Sequence, residues 1–318
     1  MISEKSMARL EAHLSPIGGE DTVAQAGRKI LLQNFVKIAQ NEEGSRAGED
    51  IEFVHDMRVA TRRTRSAVRV FDPYLKGKAL APYTKAIRKT ARRLGRVRDL
   101  DVMIADLTAY QAELEGAPAE AIKSIIELLI VKRDNAREKL VSWFDSKKYR
   151  DFSKKYAQFL LDDGKGVVEP DSLIEPHQVR HVAPLMIYDA LAAVRAYDVV
   201  IADADFETLH ALRVAFKRLR YTIDSFKDVL GTTATAYIDE IKAMQDYLGR
   251  LNDVVVAHER LEELGKLTAE QIAARDAYLA KLEQEANERV TNFIQEAWEP
   301  FNKRVVQSKL SNAILALR

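Results

Sequence analysis

Val54-His55-Asp56-Met57-Arg58-Val59-Ala60-Thr61-Arg62-Arg63-Thr64-Arg65 lines up with Leu209-His210-Ala211-Leu212-Arg213-Val214-Ala215-Phe216-Lys217-Arg218-Leu219-Arg220 at an offset of 155 (210 − 55). Further on, Leu94-Gly95-Arg96-Val97-Arg98-Asp99 matches Leu248-Gly249-Arg250-Leu251-Asn252-Asp253 at an offset of 154, and Trp143 matches Trp298 at 155. Chance pairing of basic residues would not keep one spacing across most of the chain, so the sequence reads as two homologous halves.

Each half is a run of amphipathic helices. The periodicity predicts helices near 21–40, 50–72, 79–110, 118–143 and 149–163, then 177–198, 206–228, 234–263 and 268–298, with a last helix to about 316. The stretch from Asp162 to Pro176 is the expected junction, and Asn41 to Asp50 and Leu114 to Pro118 read as loops. The expected fold is all-α: residues 1–318 form one domain of two repeated halves, a helical bundle at 21–163 and another at 177–318. With 13 Gly and 8 Pro among 318 residues, there is little of the punctuation that many short strands require. A hydrophobic fraction of 47% supplies a core.

The chain has no cysteine, which excludes disulfides, thiolate nucleophiles and Cys-ligated zinc and suits a reducing compartment; a cytoplasmic location is expected. The first residues are too charged for a signal peptide, and the apolar stretches around Ile125 to Val131 and Pro184 to Val194 are too short or too interrupted to span a bilayer, so no membrane partner is expected. The formal net charge is only +1, but it is unevenly placed. Between Val54 and Arg98 fourteen Lys and Arg face two carboxylates, Asp56 and Asp72, a local +12 that leaves −11 for the rest. Such segregation focuses a positive field.

At about 100° per residue, His55, Arg58, Arg62 and Arg65 share roughly 80° of a helix face, with Arg69 inside the same arc. Met57, Ala60, Thr64, Val68 and Phe71 lie opposite, as a core side. His210, Arg213, Lys217 and Arg220 repeat the spacing. The next helix adds Lys85, Arg88, Arg92 and Arg96, with Lys89 and Arg93 on the shoulder; the second half has Asp239, Lys242, Asp246 and Arg250 at the aligned places. Like charges on one stripe, about 5–6 Å apart, repel, and the first stripe lacks carboxylates at i±4 within its helix. The offsetting charge therefore comes from other helices or from an external anion. Arginine's planar fork suits tetrahedral oxyanions, which favours phosphate.

These two motifs and the Leu-Gly-x-x-Arg/Asn-Asp element together resemble the CHAD family, the conserved histidine α-helical domain, from about Asp21 onward. The resemblance implies two four-helix bundles related by a pseudo-twofold axis, a basic groove or channel between them, and binding of inorganic polyphosphate, often at polyphosphate granules. Carried onto this sequence, it assigns ligand-facing or site-organising roles to His55, Arg58, Arg62, Arg63, Arg65, His210, Arg213, Lys217, Arg218 and Arg220, with Lys85, Arg88 and Arg92 joining by proximity, beside Arg69 on the same stripe. Family members are often fused to a triphosphate-tunnel hydrolase domain marked by Glu-x-Glu-x-Lys; that pattern is missing here, so a stand-alone binder is expected. If Asp239 and Asp246 face inward, the first half should carry more of the binding energy.

Rival readings use the same residues. Nucleic acid is the main alternative partner, since arginine rows also bind phosphate backbones, but base-reading surfaces interleave aromatics and here Tyr221 is the nearest. A helical adaptor docking an acidic protein is the other. His177 and His181 stand at i, i+4 as in helical zinc sites, without a following glutamate. Asp99 and Asp253 could pair for acid–base work, but fit better as holders of an inner arginine such as Arg96 or Arg250. No nucleophile with its base, metal set or nucleotide loop emerges, so no cofactor and no enzymatic activity are expected, and oligomeric state is open.

Overall fold

The computed structural model describes residues 2–172 and 174–317, and the described residues form no strand. Leu173, in the junction, and the chain ends Met1 and Arg318 lie outside the described residues. The helices are α1 (Glu4–Ala12), α2 (Val23–Gln40), α3 (Glu42–Ala47), α4 (Ile51–Val70), α5 (Gly77–Gln111), α6 (Gly116–Phe144), α7 (Lys147–Leu161), α8 (Val179–Arg195), α9 (Phe206–Ser225), α10 (Lys227–Glu262), α11 (Ala269–Phe293), α12 (Glu299–Asn302) and α13 (Arg304–Leu315).

The two motif helices are bounded by equivalent residues. Asp50 and Asp205, again 155 apart, are the N-caps of α4 and α9, accepting from the Glu52 and Thr208 backbone N–H groups at 2.8 Å. A carboxylate there satisfies an orphan donor and faces the positive helix end, which fixes the start of each helix and the phase of its histidine. Both helices stop at a phenylalanine, Phe71 and Phe226, each fully buried. These two rings meet edge to face, centroids 5.6 Å apart, where α4 packs on α9. An aromatic contact of this kind adds about 0.5–1.5 kcal/mol beyond area burial. Gly27 of α2 makes room for it, since a Cβ there would stand 2.9 Å from the Phe71 ring.

Within the first half α2 packs on α4, α4 on α5 and α5 on α6; within the second, α8 packs on α9, α9 on α10, and α10 on α11 and α13. Contacts between halves run through α4–α9, α6–α11 and α2–α8. Of the expected core side of α4, Met57, Ala60, Thr64 and Phe71 are buried, while Val68 is half-buried. Trp143 and Trp298 are both buried, Trp143 donating its indole N–H to the Thr90 hydroxyl at 2.9 Å.

Some expectations change. The loop at Asn41–Asp50 contains α3, which Glu42 anchors by accepting from Arg46 and from the Tyr149 hydroxyl. The helix expected at 206–228 stops at Ser225, and the next runs straight on with a kink at Gly231, whose φ of 69° suits glycine. The helix expected to 298 opens at Ile294–Trp298 into a π-turn, and Lys303 separates α12 from α13. The N-terminal α1 was not foreseen.

Candidate anion-binding site

Where α4 and α9 lie side by side, their stripes line one cavity of about 720 Å³, closed by α5, α10 and α11. It gathers His55, Arg58 and Arg62 from α4 with His210, Arg213 and Lys217 from α9, the repeat-equivalent trio of each half. Arg98, Arg250 and Lys281 also reach the lining. The α4–α9 wall is short of acid partners. Of the cavity-lining cations of α4 and α9, only Arg58 has one among the described residues, Asp99 at 3.5 Å, and Asp99 also pairs with Arg260 at 3.3 Å. The buried Nε–H groups of Arg62, Arg213 and Arg220 find no acceptor among the described residues. An unmet buried donor on a cation is costly, and Arg62 and Arg213, unlike Arg220, line the cavity, where an anion would offset that cost.

The electrostatics agree. Arg62 is pulled below its usual pKa by burial, and Arg58, Arg220 and Arg63 add to the effect while Tyr221 opposes it. Arg213 is likewise lowered by burial, opposed by Asp253, Tyr221 and Asp246. Lys217 is lowered most, to about 8, by burial and then by Arg213, Arg62, Arg58 and Arg220. Negative charge in the cavity would favour the protonated form of this lysine and raise its value again. Tyr221 serves as a platform: the Arg62 and Arg220 guanidinium carbons lie 5.7 Å and 5.1 Å from its ring centroid.

The Leu-Gly element has a place in this geometry. Gly95 of α5 faces the Arg58 guanidinium and Gly249 of α10 that of Arg213; an added Cβ would stand 3.7 Å from Arg58 Nε and 3.9 Å from the Arg213 terminal nitrogen. That is ordinary contact distance, so the glycines leave space over each arginine without being sterically obligatory. Asp99 does hold an arginine, but the pair is Arg58 and Arg260 and not Arg96, whose guanidinium is bonded to Glu263.

The remaining predicted residues scatter. Arg63 lines a different, smaller cavity. Arg65, Arg69, Arg88 and Arg92 form a second cationic group outside the cavity lining; Arg65 is lowered by burial and then by the other three. Lys85 is exposed and also outside the lining. Arg218 pairs with Asp189 of α8 at 3.3 Å, and Arg220 lies 4.0 Å from Asp224. Lys89 sits over the Trp143 ring at 4.0 Å, and Arg93 donates to the Lys139 carbonyl. Asp239 pairs with Lys242 at 2.7 Å, and neither Asp239 nor Asp246 lines the cavity. His177 precedes α8 and bonds the Glu175 carbonyl, so it does not share a helix face with His181.

Of the carboxylates, sequence reasoning singled out Asp99 and Asp253 and missed Asp106, Glu113 and Glu285. Asp99, Asp106, Glu113, Asp253 and Glu285 all line the cavity, with Tyr110 and Tyr278. Asp253 opens onto it yet is raised by burial and by Asp106, against the lowering effect of Arg250 and Arg213. Asp106 is raised by burial too. Glu113 is neutralised by Lys281 at 2.5 Å. These acids come from α5, α10 and α11 and, for Glu113, from just beyond α5, and they share that side with Arg98, Arg250 and Lys281, so the cavity is cationic along α4–α9 and mixed in charge opposite. No helix among the described residues is long and apolar enough to cross a membrane.

Comparison with known proteins fits this picture. Two mycobacterial proteins, MT2285 and Rv2226 of Mycobacterium tuberculosis strains CDC 1551 / Oshkosh and H37Rv, are each 28% identical over 268 residues, covering 80% of this chain and 49% of their own. The chain thus spans about half the length of the curated relatives it matches. Among solved structures, the CHAD domain from the plant Ricinus communis superposes with a TM-score of 0.67 at 21% identity, covering 96% of both chains. PptA from Streptomyces chartreusis does so with 0.65 at 14% identity, covering 90% of this chain and 100% of its own. At these identities the structures attest a shared fold. The CHAD domain family model matches residues 29–262, well over half the chain and both motif helices, and the chain belongs to the CHAD domain family.

Proposed function

We propose that this protein binds inorganic polyphosphate in a basic groove between two pseudo-twofold-related helical bundles, as a binder and not an enzyme. The observation that carries this reading is the convergence of Arg58, Arg62, Arg213 and Lys217 from both halves onto one cavity, where Arg62 and Arg213 keep buried donors without acceptors. A flexible chain of phosphates can meet them in succession, each guanidinium forking onto non-bridging oxygens. His55 and His210 donate hydrogen bonds at the rim. Opposite, the cations Arg98, Arg250 and Lys281 are interspersed with carboxylates such as Asp106 and Asp253, which leaves the α4–α9 side the more positive one for the chain.

The lining supports binding more than chemistry: it offers cations and hydrogen-bond donors, and the carboxylates stand on the opposite wall. Association with polyphosphate granules follows if long chains are the ligand. Nucleic acid is the second reading, because the cavity also contains Tyr110 and Tyr278, although both stand among the acids. The test is a titration of long-chain polyphosphate against single-stranded DNA at equal phosphate concentration and two salt concentrations. Tight, salt-sensitive polyphosphate binding that displaces DNA is expected. Equal affinity for both polymers would replace the proposal with a nucleic-acid backbone binder.

A further inference from the structure

Arg62 and Arg63 are neighbours on α4, yet they serve different cavities. Arg62 lines the large one; Arg63 turns into a pocket of about 60 Å³ at the seam between the halves, walled by α2, α4, α9 and the start of α10. Three cations face this pocket, Lys37, Arg63 and Lys227, and none has a carboxylate within ion-pair distance among the described residues. Lys37 is held below its usual pKa by burial and then by Arg63 and Lys227, while Asp56 opposes. Two acids share the lining: Asp228 accepts from the Ile17 backbone N–H at 3.2 Å and Asp224 lies 4.0 Å from Arg220 Nε, so the cations outnumber the carboxylates by one.

The floor is polar and unsatisfied. Asn34 is 5% exposed and its carboxamide has no partner among the described residues. Tyr221, 8% exposed, lines the pocket and has a buried hydroxyl without a partner. A buried hydroxyl such as that of Tyr221 is normally hydrogen-bonded, and the Asn34 amide is reachable only from the pocket side. The volume matches what is missing. About 60 Å³ gives room for a small ion, against about 720 Å³ in the large cavity.

We infer that the seam pocket is a second anion site, separate from the large cavity, which takes a single tetrahedral oxyanion such as inorganic phosphate on Arg63, Lys37, Lys227 and Asn34. Arginine and lysine supply the charge, and the Asn34 amide donates from below. Because the pocket joins α2 and α4 of one half to α9 and α10 of the other, its occupant cross-links the halves. Tyr221, whose ring carries Arg62, connects it to the large cavity.

The test is calorimetric titration of the full chain with inorganic phosphate in chloride buffer, with sulfate as a parallel arm. Three variants accompany it: Lys37→Gln with Arg63→Gln, Asn34→Asp, and Arg58→Gln with Arg213→Gln. A saturable phosphate site that persists when the large cavity is stripped is expected. It should weaken at least about tenfold in the first variant and vanish in the second, where a near-isosteric carboxylate occupies the floor. The third variant strips the large cavity but should retain the site, so failure of this inference and failure of the polyphosphate reading are told apart. Sulfate binding of equal strength would mark a general oxyanion pocket and still supports the inference. No saturable phosphate binding, binding unchanged in both seam variants, or a site lost only with Arg58 and Arg213 would overturn it. Should Lys37→Gln with Arg63→Gln lose its thermal transition, Asn34→Asp decides alone.

Discussion

Arg65 and Arg220 occupy equivalent places on α4 and α9, but their surroundings have opposite character. Arg65 stands with Arg69, Arg88 and Arg92, all cations; Arg220 has Asp224 at 4.0 Å, an acid at the position equivalent to Arg69. The same divergence runs along the next helix, where Lys85, Arg88 and Arg92 face counterparts Asp239, Lys242 and Asp246, and Asp239 neutralises Lys242. The floor of the cavity, in contrast, repeats closely: His55, Arg58 and Arg62 against His210, Arg213 and Lys217. In the proposed function these are the residues that meet one ligand together, and they are alike in the two halves. The flanks are not, and the positive flank belongs to the first half, the side on which a long chain of phosphates should leave the cavity.

That comparison breaks most visibly at the floor. Replacing Arg62 and Lys217 together by Gln removes one cation from each half; at about 1.5–3 kcal/mol per charge-assisted contact, polyphosphate affinity should fall by two orders of magnitude or more. Unchanged affinity in a binding titration would sink the shared-floor account. The flanks should matter less. Arg65→Gln with Arg88→Gln and Arg92→Gln should cost long chains about tenfold at low salt and little at high salt, since these side chains are exposed or nearly so. Asp224→Asn with Asp246→Asn should gain a few-fold, and if instead the second-half pair proves the more damaging, the polarity assigned to the flanks is reversed.

Lys217 gives the floor a pH signature. Its value near 8 in the anion-free protein must rise when an anion binds, so affinity is level below pH 8 and falls severalfold towards pH 9 as binding has to take up a proton. Lys217→Arg should flatten that profile. The stability sign is opposite: with the folded value below the unfolded 10.5, the unfolded chain binds more protons between the two, so the anion-free protein gains stability as pH rises through 8. Lys217→Met should therefore melt higher than wild type at pH 7, by a margin that shrinks towards pH 10. The smallest effect is expected at Gly95 and Gly249. A methyl group fits at 3.7 Å and 3.9 Å, so Gly→Ala should leave binding within about twofold and stabilise each helix by roughly 0.5–1 kcal/mol.

Much of this was legible in the sequence because it depends on periodicity. The repeat offset carries over into Asp50 and Asp205 as caps, Phe71 and Phe226 as stops, and one face of each motif helix on one cavity. Which stripe residues reach the cavity was harder to read, because an arc of about 80° is narrower than the sorting done by neighbouring helices. Arg63, one residue from Arg62, is turned by 100° into the seam pocket, and Arg218 meets Asp189. The opposite wall was only partly legible. Asp106 and Glu285 belong to no motif and come together only because α5 and α11 border the same cavity. The helix α3 escaped notice since six residues are too few to show a period.

The central claim is that both halves build one site. The most direct test is calorimetric titration of a short polyphosphate, about as long as the cavity, into wild type, Arg62→Gln, Lys217→Gln and the double variant. A shared site predicts a single polyphosphate event per chain, weakened by either substitution, with a double-variant loss that departs from the sum of the two. Two independent events, one abolished by Arg62→Gln alone and the other by Lys217→Gln alone, would contradict it.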